Sequence, residues 1–323
     1  MVHAIRIHQT GGPEVMQWES VDVPAPGPGQ VRLKHHAVGV NFIDIYQRSG
    51  LYKLPMPFTL GSEGAGEVVA VGEGVKDFKV GDRGAYAGAV GGYSEERVMP
   101  ADRLVKLPDS IDYKTGAAMM LQGMTGRYLL RQTYKVGQGT TMLLHAAAGG
   151  IGLIAAQWAR HLGATIIGTV STSDKAEMAK AAGCTHVINY KTEDFVKRTK
   201  ELTGGAGCDV AYDAVGKDTF PGSLDCLKPL GLWVSFGNAS GPVPPFEINI
   251  LQGKGSLYAT RPTLGTYVAK REDLVANANE LFDVVSKGAV KINVNHTYPL
   301  KDAAQAHRDL EARKTTGSIV LVP

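Results

Sequence analysis

Hydrophobic and polar positions follow two different patterns along the chain, and the change falls near residue 140. Before it, short apolar segments are separated by glycine- and proline-rich turns, which is typical of short β-strands. The predicted strands are residues 4–8, 30–37, 66–71 and 84–87, and the predicted helices are residues 41–49 and 115–130. The first part of the chain is therefore predicted to be a rolled-up, mainly β domain.

After residue 140, strand and helix patterns alternate. Strands are predicted at residues 142–146, 165–170, 186–189, 210–214, 232–236 and 256–258, and helices at residues 150–162, 174–182, 193–202 and 219–227. Repeated β-α-β units form a parallel sheet with helices on both faces. The tail is predicted to hold helices at 272–286 and 302–312 and a strand at 318–322, and to return to the first domain. We therefore predict an α/β protein, with a Rossmann doubly wound parallel sheet at residues 126–261 and a mainly β domain made of residues 1–125 and 262–323.

Composition narrows the classes of function. The 323 residues carry a net charge of +3 without a basic stripe, so a nucleic-acid partner is not expected. Three well-separated cysteines without a C-x-x-C pair favour a reducing cytoplasm over a disulfide framework. The apolar run at residues 141–159 is interrupted by Gly149, Gly150 and Gly152, which favours a buried strand, turn and helix over a membrane span.

The strongest local motif is the turn AAGGIG at residues 147–152, between a predicted strand and a predicted helix. It resembles a dinucleotide-binding turn in which alanine replaces the first glycine. A glycine at 149 lets the backbone approach a pyrophosphate, and a glycine at 152 lets the helix pack closely on the strand. The helix N-terminus offers unpaired N–H groups to the anion. We predict cofactor contacts at Gly149, Gly150 and Ile151, the alternative being a purely structural turn.

The end of the next strand indicates which dinucleotide is bound. NAD enzymes place an acid there to bind the ribose 2′-hydroxyl, whereas this chain has Ser171 at that place and Lys175 four residues later. A small hydroxyl and a cation suit the 2′-phosphate of NADPH. Lys175 could instead be an ordinary solvated helix residue.

Six segments together resemble the quinone oxidoreductases of the zeta-crystallin branch, which are zinc-independent medium-chain dehydrogenases/reductases. They are GVNFIDIYQRSGLY (39–52), GSEGAGEV (61–68), LLHAAAGGIGLIAAQWA (143–159), VINY (187–190), VSFGNASG (234–241) and GSLYATRP (255–262). The resemblance runs from end to end. It implies a GroES-like, mainly β catalytic domain, a Rossmann domain and NADPH bound in a cleft.

Matching motifs also imply particular cofactor contacts. These are Asn41, Thr125, Ser171, Lys175, Tyr190, Phe236, Gly237, Asn238 and Arg313. In this interpretation Tyr190 packs near the adenine or its phosphate, and Arg313 reaches the phosphate from the tail. The sequence alone would describe Tyr190 as a strand-end aromatic residue and Arg313 as a solvated helix charge.

No metal site is expected. By the resemblance, zinc-using relatives carry a catalytic cysteine where this chain has Asn41, a histidine where it has Ser62, and a four-cysteine lobe that is absent here. Zinc needs three or four sulfur, imidazole or carboxylate ligands. Without a Lewis acid the acceptor must already be electrophilic, and quinones and conjugated enones meet that requirement.

The residues expected at the reacting centre are Asn41, Asp44, Tyr46, Tyr52 and Arg261. We assign Asn41 to orienting the nicotinamide or the substrate, Tyr52 to donating a hydrogen bond to a developing oxyanion, and Arg261 to holding a carbonyl oxygen. Asn41 and Asp44 lie one helical turn apart and can share a face. Both tyrosines could instead be ordinary half-buried aromatic residues.

The sequence thus predicts an NADPH:quinone reductase. The alternatives are an NADPH-dependent reductase of enone or alkenal double bonds, and a non-catalytic NADPH-binding or RNA-binding protein. Relatives of this branch dimerise through an edge of the Rossmann sheet, and the matching segment here, residues 231–258, is rich in apolar residues. A homodimer is therefore expected.

Overall fold

The computed structural model describes all 323 residues. The chain divides into two compact units. Unit 1 comprises residues 1–124, 268–286 and 292–323, and unit 2 comprises residues 125–267 and 287–291. The first predicted boundary, at 125/126, lies one residue from the observed one, and the second, at 261/262, lies six residues before it. The return of residues 287–291 to unit 2 has no counterpart in the predicted division.

Eight strands and two helices form the first part of the chain. The strands are β1 (Val2–Ile7), β2 (Met16–Val21), β3 (Gln30–Val40), β4 (Phe58–Thr59), β5 (Glu63–Val71), β6 (Arg83–Ala87), β7 (Glu96–Pro100) and β8 (Val105–Lys106), and the helices are α1 (Phe42–Arg48) and α2 (Tyr113–Tyr128). The sequence did not predict β2, β4, β7 or β8. In β2 the side chains lie outside or at the margin of the core, so this edge strand carries no alternating apolar pattern.

The middle of the chain contains six strands and six helices. They are β9 (Thr141–Leu144), α3 (Gly150–His161), β10 (Thr165–Val170), α4 (Ser173–Ala181), β11 (His186–Asn189), α5 (Phe195–Leu202), β12 (Cys208–Asp213), α6 (Gly222–Asp225), β13 (Leu227–Ser235), α7 (Asn249–Gly253), β14 (Tyr258–Thr260) and α8 (Leu264–Tyr267). The strands form one sheet in the order β11-β10-β9-β12-β13-β14. Every neighbouring pair is parallel. This order is that of a dinucleotide-binding sheet, which confirms the predicted doubly wound fold.

The tail contributes α9 (Arg271–Ser286), β15 (Val294–Pro299), α10 (Ala303–Glu311) and β16 (Ser318–Val322). In unit 1, β16 pairs with β3, and the larger sheet runs β15-β16-β3-β5-β6-β8, with β7 also on β3. A second sheet has the order β2-β1-β4. The tail therefore adds β15 and β16 to the larger sheet of unit 1.

Strand β3 serves two separate cores of unit 1. Val31 and Leu33 belong to one apolar cluster, whereas Val38 and Val40 belong to another. The change from odd to even positions occurs across a register shift between His35 and Ala37 against β5. An extra residue of this kind is a β-bulge, which reverses the facing of the residues that follow it.

One predicted helix differs clearly from the structure. Instead of a helix over residues 219–227, α6 has four residues and β13 begins at Leu227. The first half of β13 leaves the regular pairing, because Cys208 is opposite Leu227 while Val210 is opposite Leu232. Leu230 has a φ of +62° in this bulge. Of the predicted helix, only residues 222–225 are helical, residues 219–221 and 226 form turns, and Leu227 alone belongs to the bulged strand.

Gly152 has a steric requirement at the start of α3. An ideal Cβ at this position would lie 2.3 Å from the carbonyl oxygen of Ala146, a distance that real Cβ atoms do not show. Only glycine lets the first turn of α3 approach the end of β9 this closely.

No helix of the structure combines the length and apolar character that crossing a membrane requires.

We predict that Gly152→Ala lowers the free energy of unfolding by about 1–3 kcal/mol, because helix and strand must move apart. Gly126→Ala is the matched control: its Cβ would meet only a methyl of Ile154 at 3.5 Å, and alanine favours a helix by roughly 0.5–1 kcal/mol. Urea unfolding of both variants checks the pair. Equal stabilities for the two variants would contradict the steric argument.

Candidate active site

The cofactor residues predicted in unit 2 follow the ends of different strands. Gly149 follows β9, Ser171 follows β10, Tyr190 follows β11, the segment 236–238 follows β13 and Arg261 follows β14. Because the strands are parallel, all of these positions lie at the carboxyl edge of one sheet. In open α/β sheets this edge is the usual ligand-binding edge, at the point where the strand order reverses. Here that point lies between β9 and β12.

The glycine turn presents the start of α3 at this edge. Gly149 is the N-cap residue of α3, and Gly150 and Ile151 form its first turn, partly exposed. The first N–H groups of a helix have no partner within the helix, and the local dipole favours an anion. Backbone donors and the room left by glycine therefore fit a pyrophosphate here.

A second helix N-terminus follows β10. Thr172 is the N-cap of α4, in place of the predicted Ser173, and its side chain accepts a hydrogen bond from the backbone N–H of Lys175. Ser171 and Lys175 are both half-buried, and Asp174 is exposed. The edge therefore presents a hydroxyl, a helix N-terminus and a cation where an NAD enzyme would present an acid. This donor set fits a phosphate.

Asp213, the last residue of β12, holds the neighbouring loops and was missed at the sequence level. Its carboxylate accepts hydrogen bonds from Val215 N, Gly216 N, Thr219 Oγ1, Ser223 Oγ and Trp233 Nε1. Its carbonyl oxygen accepts from Phe236 N at 2.8 Å and Gly237 N at 3.3 Å. Burial opposes ionisation, but the nearby His145 and these hydrogen bonds outweigh it and lower the pKa of Asp213. The predicted cofactor segment 236–238 is thus anchored to the backbone carbonyl of Asp213, whose carboxylate orders the loop after β12.

Arg261 lies beside the same segment. Its guanidinium Nη1 donates to Gly237 O at 2.9 Å and to Ser235 Oγ at 3.1 Å. The residue is exposed, so it supports the segment 236–238 from the solvent side. Its predicted contact with a substrate carbonyl stays a prediction.

The aromatic pair Tyr128 and Tyr267 is a further feature of unit 2 that the sequence did not reveal. Their rings stack with centroids 4.4 Å apart and planes 10° from parallel. Tyr267 OH also accepts a hydrogen bond from Thr133 Oγ1 at 2.9 Å. Burial raises the pKa of Tyr128. Thr125, three residues earlier on α2, is buried.

In unit 1, Asn41 lies where β3 ends and α1 begins, as the N-cap of α1. Its side chain is almost fully buried. Asn41 Nδ2 donates to Glu63 Oε1 at 2.6 Å, and Asn41 Oδ1 accepts from Gln122 Nε2 at 3.1 Å. Each polar atom of the amide therefore has one partner inside the domain.

Asp44 lies against Asn41, and its expected place at the reacting centre stays a prediction. It is fully buried, and its carboxylate accepts hydrogen bonds from Asn41 N at 2.8 Å, Ser62 Oγ at 2.8 Å and Tyr93 OH at 3.0 Å. The bond to Asn41 N caps the helix, because residue 44 is at its third position. Burial raises the pKa of Asp44 to about 6, although these bonds oppose the shift. Its geometry fits positioning of the α1 N-terminus.

Tyr46 and Tyr52 lie together on the outer side of α1. Their rings make an edge contact with centroids 5.3 Å apart, and Tyr52 N donates to Tyr46 O at 3.0 Å. Tyr46 also lies beside Phe42. Tyr52 is 38% exposed, so this aromatic group can meet a ligand. Arg313 follows α10 as an exposed residue with a φ of +58°.

The sequence analysis also missed a buried polar network under α1. Tyr93 OH lies 3.0 Å from His307 Nε2, and His307 Nδ1 lies 3.0 Å from Arg48 Nη1. Arg48, itself buried, pairs with Glu311 at 2.6 Å. Burial lowers the pKa of His307 to about 3, which keeps the ring neutral. Together with Asp44 these residues tie α1 to α10 within unit 1.

The two positions at which the resemblance would place zinc ligands carry an amide at Asn41 and a hydroxyl at Ser62. The structure contains no group of three or more His, Cys, Asp or Glu side chains arranged to hold a metal ion. The three cysteines are buried and unpaired.

Two protein families match the chain. Residues 27–109 match the alcohol dehydrogenase GroES-like domain, and residues 150–282 match the family described as zinc-binding dehydrogenase. The chain is 53% identical to a quinone oxidoreductase of Pseudomonas aeruginosa, with 100% of both chains covered. It is 49% identical to a 2-haloacrylate reductase of a Burkholderia species, covering 100% of this chain and 99% of the relative. The solved structure of Escherichia coli quinone oxidoreductase complexed with NADPH matches with a TM-score of 0.98 and 49% identity, covering 99% of this chain and 100% of that one.

A GroES-like domain joined to a dinucleotide-binding sheet defines the medium-chain dehydrogenases/reductases, and the chain belongs to their zinc-independent quinone oxidoreductase family. This confirms the resemblance and the fold class derived from the sequence. The matching family is described as zinc-binding, but this chain has asparagine at position 41 and serine at position 62.

We predict that unit 1 loses stability as pH rises from about 5 to 8. Burial raises the pKa of Glu63 to about 8 and that of Asp44 to about 6. A carboxyl whose pKa is higher in the folded state stabilises the fold while protonated, and the contribution declines as pH rises towards the folded pKa. Removing one such group should flatten the decline by at most about 1.4 kcal/mol per pH unit.

Urea unfolding of wild type and Glu63→Gln between pH 5 and 8.5 measures this. Glu67→Gln is the control, because Glu67 lies on the same strand but is only half-buried. The Glu67 variant should keep the wild-type slope. Parallel slopes for wild type and Glu63→Gln would show that the Glu63 carboxyl ionises as readily in the fold as in the unfolded chain.

Proposed function

We propose that the protein is an NADPH:quinone oxidoreductase that works without a metal. The observation that carries the proposal is the edge after β9 and β10, where the glycine turn and two helix N-termini meet Ser171 and Lys175 in place of an acid. The relatives named quinone oxidoreductase, at about half identity over the full chain, support the same activity. NADPH is named in two solved relatives.

The residues fit distinct parts of the cofactor. Gly149, Gly150 and Ile151 would hold the pyrophosphate through backbone N–H groups. Ser171 and Lys175 would bind the 2′-phosphate, with Arg313 as a further proposed cation. The other proposed contacts are Thr125, Tyr190, Phe236, Gly237, Asn238 and Asn41. NADPH supplies the hydride, so the protein's part is to position the reactants and stabilise charge.

On the acceptor side, an oxygen that gains charge needs hydrogen-bond donors. We propose that Tyr52 donates to that oxygen, that Tyr46 supports the Tyr52 ring by its edge contact, and that Arg261 binds a second carbonyl. Asp44 acts through the backbone of Asn41, because its carboxylate is fully buried. Each donor stabilises a developing oxyanion without changing its own covalent bonds.

The second candidate is reduction of a double bond conjugated to an electron-withdrawing group. The 2-haloacrylate reductase at 49% identity favours it, since an acrylate accepts hydride at carbon in the same way as an enone. A panel of quinones, enones and haloacrylates, compared as kcat/KM with NADPH, separates the two. Quinones should be preferred, and a chelator should leave the rate unchanged. NADPH binding without turnover of any acceptor would instead fit a non-catalytic binding protein.

Cofactor preference gives a sharper test of Lys175. A charge-assisted hydrogen bond contributes roughly 1.5–3 kcal/mol, which is about tenfold to a hundredfold in binding. Lys175→Ala should raise KM for NADPH by that factor and barely change the weak NADH reaction. NADPH should be preferred over NADH by at least about tenfold in the wild type.

Lys180→Ala is the matched control. Lys180 lies on the same helix, is exposed and pairs with Glu177 at 2.9 Å, so its removal should leave both KM values unchanged. Equal damage to both cofactors by Lys175→Ala would make Lys175 a structural residue.

We further propose a homodimer formed through the edge of the unit 2 sheet. Strand β14 is the last strand of that sheet and exposes Tyr258 at 62%, and the segment before it exposes Phe246 at 40% and Ile248 at 75%. An open apolar edge is usually covered by a two-fold partner. Sedimentation at micromolar concentration should give twice the chain mass of 34.3 kDa. Ile248→Lys should shift the protein to monomer, and a wild-type monomer would refute the proposal.

A reducing location such as the cytoplasm is proposed from the three unpaired, buried thiols. Disulfides form mainly in oxidising compartments, and a protein with free thiols has no need of one.

A further inference from the structure

Four polar side chains of unit 1 form a hydrogen-bonded chain with one direction. Ser318 Oγ donates to Gln122 Oε1 at 2.8 Å, Gln122 Nε2 donates to Asn41 Oδ1 at 3.1 Å, and Asn41 Nδ2 donates to Glu63 Oε1 at 2.6 Å. All four side chains are buried. Every link runs from donor to acceptor towards Glu63.

The backbone fixes the Glu63 end of this chain. Glu63 Oε2 accepts from the backbone N–H of Leu121 at 2.7 Å, and a backbone N–H cannot reverse its role. An ionised carboxylate has acceptors only, so its other oxygen requires a donor from Asn41. The carboxylate also fills the space beside Gly39, where an ideal Cβ would lie 2.1 Å from Oε1. Glu63 is therefore tightly confined.

We propose that Glu63 is a positioning residue that sets the direction of this chain and thereby decides how the Asn41 amide is oriented. A primary amide has two N–H donors and two lone pairs. Glu63 takes one N–H and Gln122 takes one lone pair, so one donor and one acceptor of Asn41 remain, at fixed places. The catalytic consequence rests on the proposed function, in which Asn41 orients the nicotinamide or the substrate.

The hydrogen-bond pattern predicts what Glu63→Gln does. The new side chain can accept from Leu121 N–H only through its oxygen, so its NH₂ group must face Asn41. Asn41 then turns over and offers Oδ1, and Gln122 turns over to accept from Asn41 Nδ2. Gln122 Nε2 now donates to Ser318 Oγ, whose hydroxyl can donate to Ala118 O, already 3.2 Å away. Every group keeps a partner, but donor and acceptor are exchanged in each hydrogen bond between these side chains.

The double variant Glu63→Gln/Gln122→Glu separates direction from charge. It restores the buried carboxylate, at the opposite end of Asn41, and requires the same reversed orientation of the Asn41 amide, while Ser318 Oγ still donates to residue 122. Both variants should fold, since no buried polar group loses its partner. Glu67→Gln, on the same strand, removes a charge outside the chain and should retain wild-type activity.

Two measurements test the proposal, both at about pH 9, above the pKa of about 8 to which burial raises Glu63, so that the Glu63 carboxylate is ionised in wild type. The first is the ¹⁵N–¹H signal of the Asn41 side-chain amide, assigned by its absence from Asn41→Ser. The proton bound to the carboxylate should be shifted downfield in wild type and should move upfield in Glu63→Gln. The second is kinetics with NADPH and a quinone. Both reversed variants should lose about tenfold to a hundredfold in kcat/KM. The free N–H of Asn41 would then face a donor of the ligand, or its free lone pair would face an acceptor.

Wild type provides the same test without substitution. Protonation of Glu63 gives it one donor, as in Glu63→Gln, so the Asn41 signal should follow its titration, while the signal of Glu63→Gln should not. The titratable groups facing Glu63 are Asp44, Tyr86 and Tyr93. Only Asp44 titrates in the same pH range, and its titration remains in Glu63→Gln, which serves as the blank.

The outcomes are distinct. An Asn41 signal that is the same in wild type and Glu63→Gln overturns the proposal. So does wild-type kcat/KM in the double variant, which would make charge the important property. If the signals move as expected but no quinone is reduced by wild type, the proposed function fails and the role of Glu63 in orienting Asn41 stands.

Discussion

The contact between the first turn of α3 and the end of β9 is the constraint on which the nucleotide edge depends. With glycine at 152 the helix can start close to the end of β9, so its first N–H groups lie at the carboxyl edge of the sheet, next to the switch point between β9 and β12. The other loops at that edge are then arranged around this fixed point. Asp213 has the corresponding role on the far side of β9, where its carboxylate orders the loop after β12 and its backbone carbonyl holds the loop after β13.

Unit 1 is subject to a different constraint, because two of its carboxyl groups lie where water is excluded. Asp44 and Glu63 are both fully buried, and each is compensated by hydrogen bonds rather than by a cation. Buried charge without a counterion is costly, so such groups persist when they organise something. Here both act on Asn41, one through its backbone N–H and the other through its side chain. The result is a residue held from two sides at the start of a short helix.

Much of unit 2 could be predicted because its signals are local. Strands β10 and β11 were predicted with the observed bounds, and the glycine turn indicated its helix. Two kinds of feature could not be predicted. Edge strands such as β2 bury too few side chains to show alternation, and the helix predicted over residues 219–227 is reduced to the four residues of α6 between two turns. The partners of Asn41 were missed because Glu63 and Gln122 lie 22 and 81 residues away, and one sequence does not show contacts at that distance.

The bulge at His36 has a consequence for where α1 emerges. Side chains of a strand alternate between the two faces of the sheet, so one extra residue moves every later side chain to the opposite face. Val31 and Val40 lie in different clusters because of this change of face. Asn41 comes directly after Val40. A chain lacking the surplus residue would carry the same motif from 39 to 52 but turn Asn41 to the opposite side of the sheet. The bulge at His36, five residues before Asn41, therefore determines on which side of the sheet the motif at residues 39–52 lies.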